Sequence, residues 1–68
     1  MKDILTAREK EVVKYIAEGM TNIEIGKILH ISKHTVKAEI EIIYLKVGCN
    51  NRVVLSLIAY KQGLLDLE

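Results

Sequence analysis

Residues 21–48 read TNIEIGKILHISKHTVKAEIEIIYLKVG, and the way this stretch divides decides the fold. Thr21 is a good helix N-cap, and Glu24 three residues later completes a capping box. Ile23, Ile25, Ile28 and Leu29 then mark a short helix of about eight residues. Gly26 sits inside it, at a cost of about 1 kcal/mol relative to alanine, so a close helix crossing is expected there. Ser32 opens a second helix, whose apolar set Val36, Ile40, Ile43 and Val47 steps by four, three and four. Gly48 stops it. The substring IEIIYLKV alone would suit a strand, but the cap, the stripe and the terminal glycine together favour a helix. Only His30, Ile31 and Ser32 separate the two helices, which is a helix-turn-helix spacing.

The flanks add one helix on each side. Thr6 and Glu9 form another capping box, and Val12, Val13, Ile16 and Ala17 share one face before Gly19 ends the segment. Leu5 precedes that cap but meets only the stems of Lys10 or Glu11, so its staple is expected to be weak. A fourth helix runs from about Asn51 to Gln62, capped by Asn50 or Asn51 and stopped by Gly63, with Leu64 and Leu65 following. Val53, Val54, Leu55, Leu57, Ile58, Ala59 and Tyr60 cover more than one of its faces. The reading is all-α: a compact four-helix domain containing a helix-turn-helix, one domain over residues 1–68.

Composition agrees. The chain is half hydrophobic, without Phe, Trp or Pro, and its core must come from Ile, Leu and Val. So short a chain buries only about 60% of its unfolded surface. The single Cys49 allows no disulfide within the chain, and no Cys/His cluster has zinc spacing. Tight helix packing or an oligomer must supply the missing stability. The excess of apolar residues on the fourth helix points to a homodimer, with Val54, Leu57, Ile58 and Lys61 at the contact. No apolar run reaches the length of a membrane span, the N-terminus has no signal-peptide pattern, and a lone cysteine suits a reducing compartment, so a cytoplasmic location is expected.

A net charge of +1 makes no global case for a nucleic acid partner. Local charge does more. The third helix opens with Ser32, Lys33, His34, Thr35 and Lys37, short hydrogen-bonding and basic groups around a helix N-terminus that can face phosphates. Positions 34, 37, 38, 41 and 45 fall opposite the apolar stripe. Glu41 therefore shares the outward face with Lys37, at i,i+4 spacing where the two can pair. On DNA it could accept from a cytosine amino group; otherwise it repels phosphate. Glu39 lies to the side.

Four spaced blocks carry a resemblance: LTAREKEV (Leu5–Val12), EGMTNIEI (Glu18–Ile25), ISKHTVK (Ile31–Lys37) and KVGCNNR (Lys46–Arg52). Together they resemble the LuxR-type helix-turn-helix domain, found at the C-terminus of NarL/FixJ-like response regulators and of quorum-sensing regulators. The resemblance implies a transcription regulator that binds double-stranded DNA with the third helix in the major groove and dimerises through the fourth. Carried over by position, it places Lys37, Ala38 and Glu41 at bases. Thr35, Val36 and Lys46 fall near backbone or base methyls, and Asn22, Ser32 and Lys33 near phosphates; His34 is DNA-facing. Glu9 and Arg52 resemble a structural pair tying the first helix to the fourth. An N-terminal receiver or sensor domain is implied if this is a fragment; a native start at Met1 would make a stand-alone regulator. The chain departs from the pattern at Glu39, Glu41, Ile42 and Leu45, which motivates an alternative: a protein-interaction module on the same fold with weakened or lost DNA binding.

Other chemistries have little support. His30 lies in the turn and so need not share a helical face with His34, no third ligand is near, and no metal or cofactor is expected. Cys49 reads as a buried small hydrophobe. No Ser/His/Asp or Cys/His set and no phosphate loop argues for an enzyme.

Overall fold

The computed structural model describes residues 4–63. Four helices follow one another: α1 (Ala7–Ala17), α2 (Asn22–Leu29), α3 (Lys33–Val47) and α4 (Arg52–Lys61). Each begins at a side-chain cap. The Thr6 and Thr21 hydroxyls accept the amides of Glu9 and Glu24, whose carboxylates accept the cap amides in return. Ser32 caps Thr35, and Asn51, not Asn50, caps Val54. Replacing such a cap by alanine costs about 1 kcal/mol. Gly19 and Gly48 leave α1 and α3 with φ of 88° each, a conformation that favours glycine.

The core draws on every helix. Leu5, Val12, Val13 and Ile16 meet Ile25, Val36, Ile40 and Ile43, and Leu55 and Ala59 close it from α4. Burying a Val, Leu or Ile side chain contributes roughly 1.5–3 kcal/mol, so this cluster carries the fold. No polar or charged residue among the described ones is buried. Leu5, expected to staple weakly, is instead a core residue with 4% exposure. Its side chain joins the buried cluster formed by residues of all four helices. Ala17, Ile23 and Ile28 lie outside the core, and Val47 and Cys49 are half-buried against it.

The turn between α2 and α3 is closed by backbone. His30 takes the left-handed conformation (φ 62°, ψ 42°), and its amide and that of Ile31 both donate to the Gly26 carbonyl. The buried Gly26 faces the Ile31 carbonyl so closely that an added Cβ would lie 2.6 Å from its oxygen. The glycine is therefore needed by the turn itself, where the sequence suggested a crossing of two helices.

The polar links between helices differ from the expected pair. Glu9 meets Lys46 of α3, with Nζ at 2.9 and 3.1 Å from its two carboxylate oxygens. Arg52 donates to the Asn22 carbonyl oxygen at 2.7 Å and to the Met20 backbone carbonyl. Glu9 thus ties α1 to α3, and Arg52 pins the start of α4 to the start of α2. The joint Glu9–Arg52 tie is replaced by these two, because the long Lys46 stem reaches Glu9 while Arg52 is held at the α1–α2 connection.

Candidate nucleic-acid interface

The N-terminal half of α3 presents a polar face set by its buried one. Val36, Ile40 and Ile43 lie inward, so His34, Lys37, Ala38, Glu41 and Leu45 stand outward, all exposed. The Ser32 hydroxyl accepts the Thr35 amide at 3.0 Å and lies 3.1 Å from the Thr35 hydroxyl. Ser32 leaves the first amides of the helix, at Lys33 and His34, directed at solvent, where the positive end of the helix dipole favours an anion. Lys33 and, on α2, Lys27 are exposed and make no ion pair among the described residues.

Each glutamate of α3 has a distinct fate. Glu39 turns to α1, where its Oε2 accepts from Arg8 Nη2 at 3.4 Å. Its Oε1 is sealed from solvent and lies 3.3 Å from Arg8 Nε, an ionic contact without hydrogen-bond geometry. This pair is partly exposed and stabilises by at most about 1 kcal/mol; it ties Glu39, which helical spacing already sets to the side of the outward face, to α1. Glu41 stays on that face and pairs with Lys37 at 3.4 Å, both side chains more than 60% exposed.

Several residues expected at the interface sit differently. Val36 is completely buried, so it offers no atom to a groove and belongs to the core alone. Asn22 is half-buried and gives its carbonyl oxygen to Arg52, which leaves only its amide nitrogen for a phosphate. Lys46 is held by Glu9, with 36% of its side chain exposed. Burial pushes the Glu9 carboxyl up, but bonds from the Thr6 amide, the Lys46 ammonium and the Thr6 hydroxyl outweigh it, so its pKa falls below the ordinary 4.5. On α4, Val53, Val54, Leu57, Tyr60 and Lys61 are exposed and Ile58 is half-buried. Ser32, Lys33, His34, Thr35, Lys37, Ala38 and Glu41 come together on one surface at the turn and first half of α3. Val54, Leu57, Ile58 and Lys61 form a separate surface on α4.

Sequence reasoning missed the Arg8–Glu39 and Glu9–Lys46 ties. Their partners lie 31 and 37 residues apart, beyond the reach of any local pattern.

The family described as bacterial regulatory proteins, luxR family, matches residues 3–59. The chain is 40% identical over 62 residues to the transcriptional activator protein SolR of Ralstonia solanacearum, covering 91% of this chain and 26% of SolR. It is 38% identical over 64 residues to the transcriptional regulatory protein YdfI of Bacillus subtilis, covering 94% of this chain and 30% of YdfI. Identity to the transcriptional regulatory protein ComA of Bacillus subtilis is 34% over 64 residues, with the same two coverages of 94% and 30%. The chain thus spans between a quarter and a third of the length of these relatives. No solved structure matches it. With its all-α helix-turn-helix and a match across most of its length, the chain belongs to the luxR family of bacterial regulatory proteins, whose helix-turn-helix domain serves DNA-binding transcription regulation.

Proposed function

We propose that this domain binds specific duplex DNA as a homodimer, with the outward face of α3 in the major groove and α4 at the dimer contact. The observation that carries the reading is the shared exposure of Ser32, Lys33, His34, Thr35, Lys37, Ala38 and Glu41 on one polar face, braced from behind by the turn at Gly26. The face divides by chemistry. Ser32, Lys33 and the first amides of α3 serve phosphates, with Asn22 and Lys46 at the margin; His34, Thr35, Lys37, Ala38 and Glu41 reach bases. Val54, Leu57, Ile58 and Lys61 serve dimerisation, joined by the exposed Val53 and Tyr60.

Charge argues for a dimer. Lys27 of α2 and Lys33 of α3, which line one concavity at the turn, make no ion pair among the described residues, while Lys37 and Lys46 are each shared with a glutamate. Two phosphate contacts give a salt slope of roughly −2 for one copy, and a dimer gives roughly −4. One copy alone binds weakly. Two copies reading half-sites about 34 Å apart gain both contacts and specificity. The domain acts in the cytoplasm as the output part of a regulator, with a receiver or sensor domain as its partner in a longer chain.

Fluorescence anisotropy on duplexes carrying paired half-sites, with sedimentation alongside, tests the reading. It expects saturable binding at low salt, a slope near −4, and a two-copy complex. Absence of binding at low salt, even with two copies covalently linked, would overturn it. A second reading, a protein-docking module, draws on Leu45 at 84% and Ile42 at 49% exposure on the far half of α3. It predicts partner binding through α3 with no response to DNA.

A further inference from the structure

The assignment of α3 to the major groove leaves open what its outward face reads, and the inference below rests on that assignment. α3 carries two glutamates, and Glu39, at the side of the helix, is held against α1 by Arg8. Glu41 is then the one carboxylate that α3 presents there, 3.4 Å from the Lys37 ammonium. The two Cα positions are one turn apart, about 6 Å along the axis. The side-chain ends converge well inside that distance, so they can reach only one base pair or two neighbouring ones, given a rise of about 3.4 Å per pair.

The chemistry of the two ends is opposite and restrictive. A carboxylate only accepts and an ammonium only donates. In the major groove guanine offers two acceptors, O6 and N7, and cytosine offers a donor, its N4 amino group. Thymine offers an acceptor and a methyl, and adenine a donor beside an acceptor. Lys37 therefore suits guanine, and Glu41 suits cytosine. Glu41 finds no donor on guanine or thymine, and on adenine the N7 acceptor beside the amino group repels it. We propose that Lys37 and Glu41 act as one reading unit that requires a guanine beside a cytosine in the major groove of each half-site, Lys37 donating to the guanine O6 and N7 and Glu41 accepting from the cytosine amino group.

Two features of the site support the pairing. Ala38 lies between the two on the helix and has no side-chain bulk to hold the base edges away. The ion pair also lets Glu41 enter a groove lined by phosphates without carrying an uncompensated negative charge. Glu41 thereby becomes a selector: it lowers affinity for DNA in general and restores it only where an amino group meets it.

Selection from a pool of duplexes with randomised half-sites tests this, using the chain itself, Glu41→Ala and Glu41→Gln, with circular dichroism to confirm folding of these exposed-site variants. The wild-type pool is expected to share one guanine–cytosine position, with cytosine favoured over thymine there by roughly 5- to 150-fold. Glu41→Ala should lose that preference at the cytosine position alone, binding the selected duplex more weakly and duplexes without the cytosine more tightly. Glu41→Gln should shift the preference to adenine, whose N6 and N7 a carboxamide pairs with. Binding by the wild type with no favoured cytosine, or an unchanged base preference in Glu41→Ala, overturns the inference while leaving DNA binding intact. No binding of the wild type to any duplex overturns the underlying assignment and the inference with it.

Discussion

Gly26→Ala probes the turn on which the placement of α3 depends. In the interior of α2, alanine is the better helix former by about 1 kcal/mol, and propensity alone would make this variant more stable. The local geometry opposes it. The new Cβ would stand 2.6 Å from the Ile31 carbonyl oxygen, where ordinary contact begins at 3.4 Å. The neighbour is backbone and cannot rotate away. It is also fixed on both sides, by the Ile31 amide bonded to Gly26 at 2.9 Å and by the Ser32 cap of α3. Overpacking of this kind typically costs 1–3 kcal/mol, and a fixed backbone neighbour places it at about the upper end. After the propensity gain the variant should lose about 1–2 kcal/mol, a large share of the roughly 3–10 kcal/mol available to a chain of this size. Urea unfolding followed by circular dichroism reads this as a lower midpoint with an unchanged slope. A midpoint equal to or above that of the wild type would refute the reasoning, since the turn would then have room for a methyl group.

Further expectations follow from other sites. His30 holds a left-handed backbone, so His30→Gly should keep or raise stability by up to about 1 kcal/mol in thermal unfolding, while His30→Val lowers it; equal losses in both would contradict the strained turn. The Glu9 carboxyl has a folded pKa below its ordinary 4.5, so its contribution is complete above the unfolded value and is lost as pH falls through the folded one. Acid unfolding below pH 4.5 should therefore be less steep in Glu9→Gln, and an identical acid limb would remove Glu9 from the account. Leu57 is 57% exposed, so Leu57→Glu should fold with stability within about 0.5 kcal/mol of wild type while sedimenting as a monomer and binding paired half-sites more weakly. Unchanged sedimentation and affinity would remove α4 from the dimer.

Local chemistry made most of the fold legible. The capping side chains Thr6, Thr21, Ser32 and Asn51, and the stop at Gly48, all act within a few residues, and each sits where its helix begins or ends. The buried set Val36, Ile40 and Ile43 follows from helical spacing, and it orients Lys37, Ala38 and Glu41 outward. What stayed hidden was non-local. Nothing in the pattern around Glu39 indicates that Arg8 is near it, yet this contact gives the most anomalous charge of α3 a partner on α1. Nothing local to Lys46 indicates that Glu9 of α1 holds its ammonium, which sets it at the margin of the face. Val36 shows a conflict between two kinds of reading: position within the family pattern put it near DNA, and helical spacing put it in the core, where it is found. Gly26 was recognised as costly, but only the folded turn shows that the Ile31 carbonyl is the reason.

The central claim, that the outward face of α3 is the DNA-reading surface, is tested most directly by amide chemical-shift mapping during titration with a selected duplex. The account predicts that the largest changes fall at Ser32 to Glu41, smaller ones at Asn22 and Lys27, and almost none on the exposed face of α1. Changes confined to Ile42, Leu45 and α4, or no changes at low salt, would contradict it.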